Sequence, residues 1–204
     1  MTENAVVTRD GIGAGRGEAR EQAILLAAFR LLAEIGYERL TMDAVAVRAR
    51  ASKATIYRRW PGKPELVAAA LRLYADADTV QFQETGSLRG DLIAMLRSLR
   101  DKFHRQDCAL YSGVIRAMQT DAELARIIRA QIAENKRKVG ELLSQRAIAR
   151  GEPIPDVEII REIVPAQMLV RLLITGESVE DDYLVHLVDD IVLPLLTRKL
   201  TSSI

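Results

Sequence analysis

Cys108 is the only cysteine in the 204 residues, so no disulfide can form within the chain and a cysteine-rich metal site is excluded. Histidine is almost as scarce. His104 stands four residues from Cys108, and His186 four residues from Asp190. Two ligands at helical spacing are too few for a metal centre, and all four read as packing or surface residues. No metal and no cofactor is expected. No apolar run reaches membrane length: the longest, "IVPAQMLVRLLI" from Ile163 to Ile174, is too short and carries Arg171. The N-terminal "MTENAVVTRDGIGAGRG" lacks the apolar region of a signal peptide, so the expectation is a cytoplasmic protein with no membrane partner. G-x-S-x-G, P-loop and H-E-x-x-H patterns are absent too, and the carboxylates fall mainly on polar faces, which argues against an enzyme.

Aromatics amount to 4% and prolines to six, while 49% of residues are apolar, with Ala, Leu and Ile prominent. Such a chain buries a sizeable core and favours helix over strand. A net charge of +1 says little about nucleic acid, but it is unevenly spread. Residues 1–63 hold 11 Lys and Arg against 7 Asp and Glu, and residues 64–204 hold 18 against 21. The basic end is the N-terminal one.

Gly11, Gly13, Gly15 and Gly17 mark residues 1–17 as a flexible arm. Helix one is expected from Glu18 to Ile35, with Ile24, Ala28, Leu31, Leu32 and Ile35 at helical spacing and Gly36 as the stop. Thr41 stands at an N-cap position, with Asp43 in the first turn, for a short helix "MDAVAVRA". A turn at Arg50 and Ala51 follows, and Ser52 caps a third helix ending near Trp60, before "PGK". Two short helices joined by a tight turn, after a longer one, fit a helix-turn-helix. The expected head therefore spans residues 18–62. The rest, 63–204, is expected as six helices: Lys63–Ala77, Leu88–His104, Cys108–Gln119, Asp121–Ala149, Asp156–Ile174 and Glu180–Lys199. No strand alternation appears, so the fold class is all-α.

The last two helices are apolar on nearly every side, and such a helix must be covered on every side. The reading is a homodimer with two helices from each chain at the seam, Leu187 and Leu195 among the seam residues. Pro165 and Pro194 are each expected to kink their helix.

The stretch "SKATIYRRW", Ser52–Trp60, carries the functional signal. Ile56 and Trp60 are four apart and share a face that can anchor the helix. Ser52, Lys53 and Thr55 suit base edges or the groove rim, and Ala54 allows close backbone approach. Tyr57, Arg58, Arg59 and Lys63 suit phosphates. Arg9, Arg16 and Arg20 are further candidates for the minor groove or for phosphates.

"LTMDAVAVRARASKATIYRRWPGKPEL", residues 40–66, resembles the DNA-binding head of the TetR family of bacterial repressors, and the likeness extends over Arg20–Leu66. The resemblance implies a nine-helix subunit with three DNA-binding helices and a six-helix domain for ligand binding and dimerisation. It also implies a dimer that leaves a double-stranded operator when a small molecule binds. The positions matching the family's DNA contacts are Thr41, Ser52, Lys53, Thr55, Tyr57, Arg58, Arg59 and Lys63. One position departs: the family commonly has glycine in the turn, where this chain has Arg50. A left-handed Arg50 costs roughly 1–2 kcal/mol, and a contact to the phosphate backbone is the expected compensation.

Polar residues inside apolar helices are candidates for lining an effector cavity: Gln119, Arg129, Asn135, Gln167 and Arg171, with Met95, Tyr111 and Met118 as walls. A largely apolar effector is expected. The alternative is a DNA-binding regulator without a small-molecule inducer, one that answers to a protein partner or to nothing, or that acts as an activator.

Overall fold

The computed structural model describes residues 10–79, 82–105, 108–152 and 157–197. All regular structure among them is helical: α1 Asp10–Arg39, α2 Met42–Arg48, α3 Lys53–Tyr57, α4 Lys63–Thr79, α5 Leu88–Arg105, α6 Cys108–Thr120, α7 Ala122–Arg150 and α8 Val157–Leu169, then α9 Asp181–His186 and α10 Leu193–Thr197. α8 runs on into a π-helical segment, Val170–Thr175, and a second one, Leu187–Val192, joins α9 to α10. With each π segment counted as part of its rod, the described residues form the nine helical rods that the resemblance implies. The chain divides into two compact units, Met1–Leu71 and Arg72–Ile204.

In the first unit the expected signals hold, with shifts at several bounds. α1 starts at Asp10, ahead of Glu18, so residues 10–17 of the expected arm are helical. Extending an existing helix gains a hydrogen bond per residue, which offsets the poor propensity of glycine. Gly36 ends the main run at φ 76, ψ 171, a conformation that glycine adopts without steric cost. Ile24, Ala28, Leu31 and Leu32 are buried, but Ile35, in the turn before that stop, is 37% exposed. The unit's core continues through Val45, Ile56, Trp60, Leu66, Val67 and Ala70. The first turns of α4 therefore belong to the head, and the division falls inside α4 and not at Lys63.

The second unit closes around Leu92, Leu96, Leu143, Met168, Leu184, Leu187, Val188 and Val192, all essentially inaccessible. Asp91 is fully buried there. It accepts from the Thr85 backbone N–H at 2.8 Å and its hydroxyl at 2.9 Å, and from Arg150 at 3.1 Å, with Arg146 Nη1 3.6 Å away. Asp121 caps α7 through the Leu124 N–H, and Gly151 ends it in the left-handed region.

The two C-terminal rods differ from expectation at Leu187. Leu187 is 0% exposed within the protomer's own core, so it is not a seam residue, and Leu195 is partly buried. Among the described residues of these rods, the large apolar side chains left uncovered are Val170, Ile174 and Ile191. Each proline expected to kink its helix has a π-helical segment nearby. Pro194 has no N–H to give to the preceding turn, and the π segment of residues 187–192 widens the helix directly before it. Pro165 lies inside α8, whose wide turn follows five residues later. No helix among the described residues is long and apolar enough to cross a membrane.

Candidate nucleic-acid interface

Three local devices set the position of α3. Thr41 is extended, and its Oγ1 accepts from the Ala44 N–H at 3.2 Å, which starts α2. α2 ends in a Schellman turn: the Arg50 N–H donates to the Val47 carbonyl at 3.2 Å and the Ala51 N–H to the Ala46 carbonyl at 3.0 Å. Arg50 occupies the left-handed position of that turn, with φ 49. Ser52 then starts α3 by accepting from the Thr55 N–H at 3.2 Å, with its hydroxyl 2.8 Å from that of Thr55.

α3 ends at Tyr57, a turn short of expectation, with Arg58 and Arg59 in the turn that follows. Its two faces separate as the spacing requires. Ile56 is 0% and Trp60 6% exposed, while Lys53, Ala54, Tyr57, Arg58 and Arg59 are exposed. The cations do not all stand open to a partner. Lys53 Nζ donates to Asp43 at 2.7 Å, and this bond is the main reason that its ammonium is held more firmly protonated than a free lysine. Arg59 pairs with Glu21 on α1. Lys63 Nζ lies 4.1 Å from the centre of the Tyr37 ring and donates to the Glu38 carbonyl at 3.3 Å. Arg20 donates from Nη1 to the carbonyl of Arg50 at 2.8 Å. Arg9 and the side chain of Arg16 lie outside the described residues.

Asp43, Glu21 and Arg20 thus belong to this surface as partners of the candidate contacts. Sequence reasoning gave Asp43 and Arg20 other roles and left Glu21 out. The signal for Lys53–Asp43 is faint, a carboxylate and an ammonium ten residues apart across a turn. For Arg20 and Arg50, 30 residues apart, there is no local signal.

The effector candidates are scattered over the second unit. Met95 sits in the apolar core. Tyr111 and Met118 are half-buried on α6, whereas Gln119, Arg129 and Gln167 are exposed. Arg171 is committed locally: it donates from Nε to the Ser178 carbonyl at 2.7 Å, pairs with Glu177 at 2.9 Å and stacks 4.0 Å from the centre of the Tyr183 ring. Asn135 lines a groove of about 370 Å³ on α7, with Arg126, Gln131 and Lys138. A groove of about 610 Å³ lies along α5 between Thr85 and Asp101, and Val185 closes one side. Met95, Tyr111, Met118, Gln119, Arg129, Gln167 and Arg171 line neither groove.

Two family models match the chain. The model for bacterial regulatory proteins of the tetR family matches residues 24–70, and that for the tetracyclin repressor-like C-terminal domain matches residues 82–191. A relative described as the DNA-binding transcriptional repressor TetR of Mycobacteroides abscessus is 40% identical over 183 residues, which is 89% of this chain and 96% of the relative. An uncharacterized HTH-type transcriptional regulator of Mycobacterium tuberculosis is 37% identical over 183 residues, 88% of this chain and 89% of that protein. Among solved structures, a TetR family transcription regulator superposes with a TM-score of 0.67 at 31% identity, over 85% of this chain and 96% of its own. The flavonoid-responsive regulator FrrA superposes with a TM-score of 0.65 at 21% identity, over 88% and 95%, which is a likeness of fold.

Proposed function

The chain belongs to the TetR family of bacterial transcriptional regulators, DNA-binding proteins that are not enzymes and that dimerise on operators, and from that membership we propose that it is a cytoplasmic, ligand-released repressor. The observation that carries the reading is the division of α3 and the turn after it into a buried side, Ile56 and Trp60, and an exposed one, Lys53, Tyr57 and Arg58. The exposed face enters the major groove. Lys53 and Thr55 read base edges, while Thr41, Ser52, Tyr57, Arg58 and the side chain of Arg50 hold phosphates. Arg59 and Lys63 join them after exchanging Glu21 and the Glu38 carbonyl for phosphate oxygens. Two such heads in a dimer fit half-sites roughly 34 Å apart on a near-palindromic duplex.

The uncovered Val170, Ile174 and Ile191 support a seam built from the C-terminal rods. A small, largely apolar molecule binds in the second unit and favours a state in which the heads no longer match the operator. The change passes along α4, which both units share. A coupling of about 1–3 kcal/mol is sufficient. Support for an effector comes from the tetracyclin repressor-like C-terminal model and from a fold neighbour named for its response to flavonoids. The scattered effector candidates favour a second reading, in which a protein partner replaces the small molecule.

Selection of genomic fragments by the purified protein tests the DNA reading, and a near-palindrome with half-sites one helical turn apart is the expected product. Absence of any enriched sequence would overturn it. Native mass spectrometry of protein from its own host decides between the two controls: a bound small molecule supports the first reading, and a bound protein with no small molecule supports the second.

A further inference from the structure

We propose that Arg20 is a positioning residue of the DNA-binding head: its guanidinium clamps the carbonyl of Arg50 and holds the turn before α3 in the left-handed conformation that aims the recognition helix. The inference rests on α3 being the element that meets DNA. Among the described residues, Arg50 is the one non-glycine residue with positive φ. In that region the side chain crowds the following carbonyl, and glycine normally relieves the crowding. Nothing local replaces the missing glycine. The turn's two closing bonds, from the N–H groups of Arg50 and Ala51, fix the end of α2. Neither bond restrains the Arg50 carbonyl, where the chain leaves the turn toward Ser52 and the start of α3.

That carbonyl is where Arg20 acts. Its Nη1 donates at 2.8 Å from α1, 30 residues earlier in sequence. A charged donor on a neutral carbonyl makes a stronger bond than a neutral donor would. It also ties the turn to the longest helix of the head, so the left-handed residue is held from outside the turn. A phosphate contact was the compensation expected from the sequence, and a bond inside the protein takes that role whether or not DNA is bound.

A double-mutant cycle tests this. Arg20→Met, Arg50→Gly and the double variant are compared on a duplex selected from a random library by the wild-type protein, on a random-sequence duplex, and in thermal unfolding. Arg20→Met is expected to lower the ratio of selected to random affinity by about tenfold, the factor matching the cost of a left-handed non-glycine residue. In the Arg50→Gly background the same substitution is expected to change that ratio by less than about twofold, because glycine holds the turn unaided. The thermal midpoint follows the same pattern. An equal loss on both duplexes and in both backgrounds would make Arg20 a plain phosphate contact and overturn the proposal, as would no loss at all. Coupling in the midpoint with an unmoved affinity ratio would also overturn the positioning role. If the wild-type protein selects no duplex, the reading of α3 fails, and additivity or coupling of the midpoints still decides whether Arg20 holds the turn.

Discussion

An arginine in place of a turn glycine and a lysine facing a carboxylate make the head's residues less free than their types suggest. Lys53 is the instructive case. Its ammonium and the Asp43 carboxylate are each about three-fifths exposed, 62% and 61%, so their 2.7 Å bond adds little stability. In the proposed function, where Lys53 meets DNA, the same pair matters more, because Asp43 brings negative charge to that surface and occupies the lysine. Asp43→Asn is therefore expected to leave the thermal midpoint nearly unchanged. It should nevertheless tighten operator binding several-fold, a gain that added salt weakens. Calorimetry and a salt titration of affinity check the two halves. Arg50→Gly has the opposite character: stability is expected to hold or rise by up to about 1 kcal/mol, since glycine's freer unfolded chain cancels part of the relieved strain. Thermal melts of the two proteins side by side measure it.

Helices in the second unit are joined by charge as well as by apolar packing. Asp181, the first residue of α9, receives hydrogen bonds from Arg97 at 2.6 Å and Arg100 at 2.5 Å, both on α5, and these hold its carboxyl below the usual range. A depressed carboxyl contributes its full stabilisation above its unfolded pKa, about 3.9, and loses it as pH falls through the lower folded value. Asp181→Asn should thus flatten the acid side of the stability curve below about pH 4 and leave its neutral slope alone. Thermal midpoints taken from neutral pH down to pH 3 follow this directly. Asp91 is the deeper joint. Its buried carboxylate ties Thr85, ahead of α5, to Arg150 at the end of α7; Asp91→Ala leaves Arg150 its bonds to Glu84 and Glu152 and Arg146 its bond to the Phe82 carbonyl, but strips the Thr85 N–H of its acceptor and should cost about 1–3 kcal/mol. Urea unfolding measures that loss.

For the whole molecule, the decisive distinction lies between apolar side chains that a protomer covers by itself and those it leaves bare. Leu187 is in the first group and Val170, 42% exposed, in the second. Leu187→Arg is therefore expected to unfold the subunit, whereas Val170→Arg should leave it folded, with unchanged circular dichroism, and convert dimer to monomer. Sedimentation together with circular dichroism separates the two outcomes. A Val170→Arg protein that stays dimeric would move the seam away from the end of α8.

Much of this molecule is written in local signals. Thr41, Ser52 and Asp121 at helix starts, Gly36 and Gly151 at helix ends, and the apolar spacing between them locate most elements to within a residue or two, because capping and periodicity act over a few residues. The same short range made Ile56 and Trp60 legible as the buried side of α3 and its end, whereas the left-handed Arg50 followed from the family resemblance. Tertiary structure decided what depends on partners distant in sequence. It gave Arg20 to the Arg50 carbonyl, Arg59 to Glu21 and Lys63 to the Tyr37 ring. It also sank Leu187 into the protomer's core and left Ile174 in the open. A helix apolar on every side announces that all its faces are covered, but which face is met by its own chain depends on how α5, α7 and α8 converge on it, and no spacing within the helix encodes that.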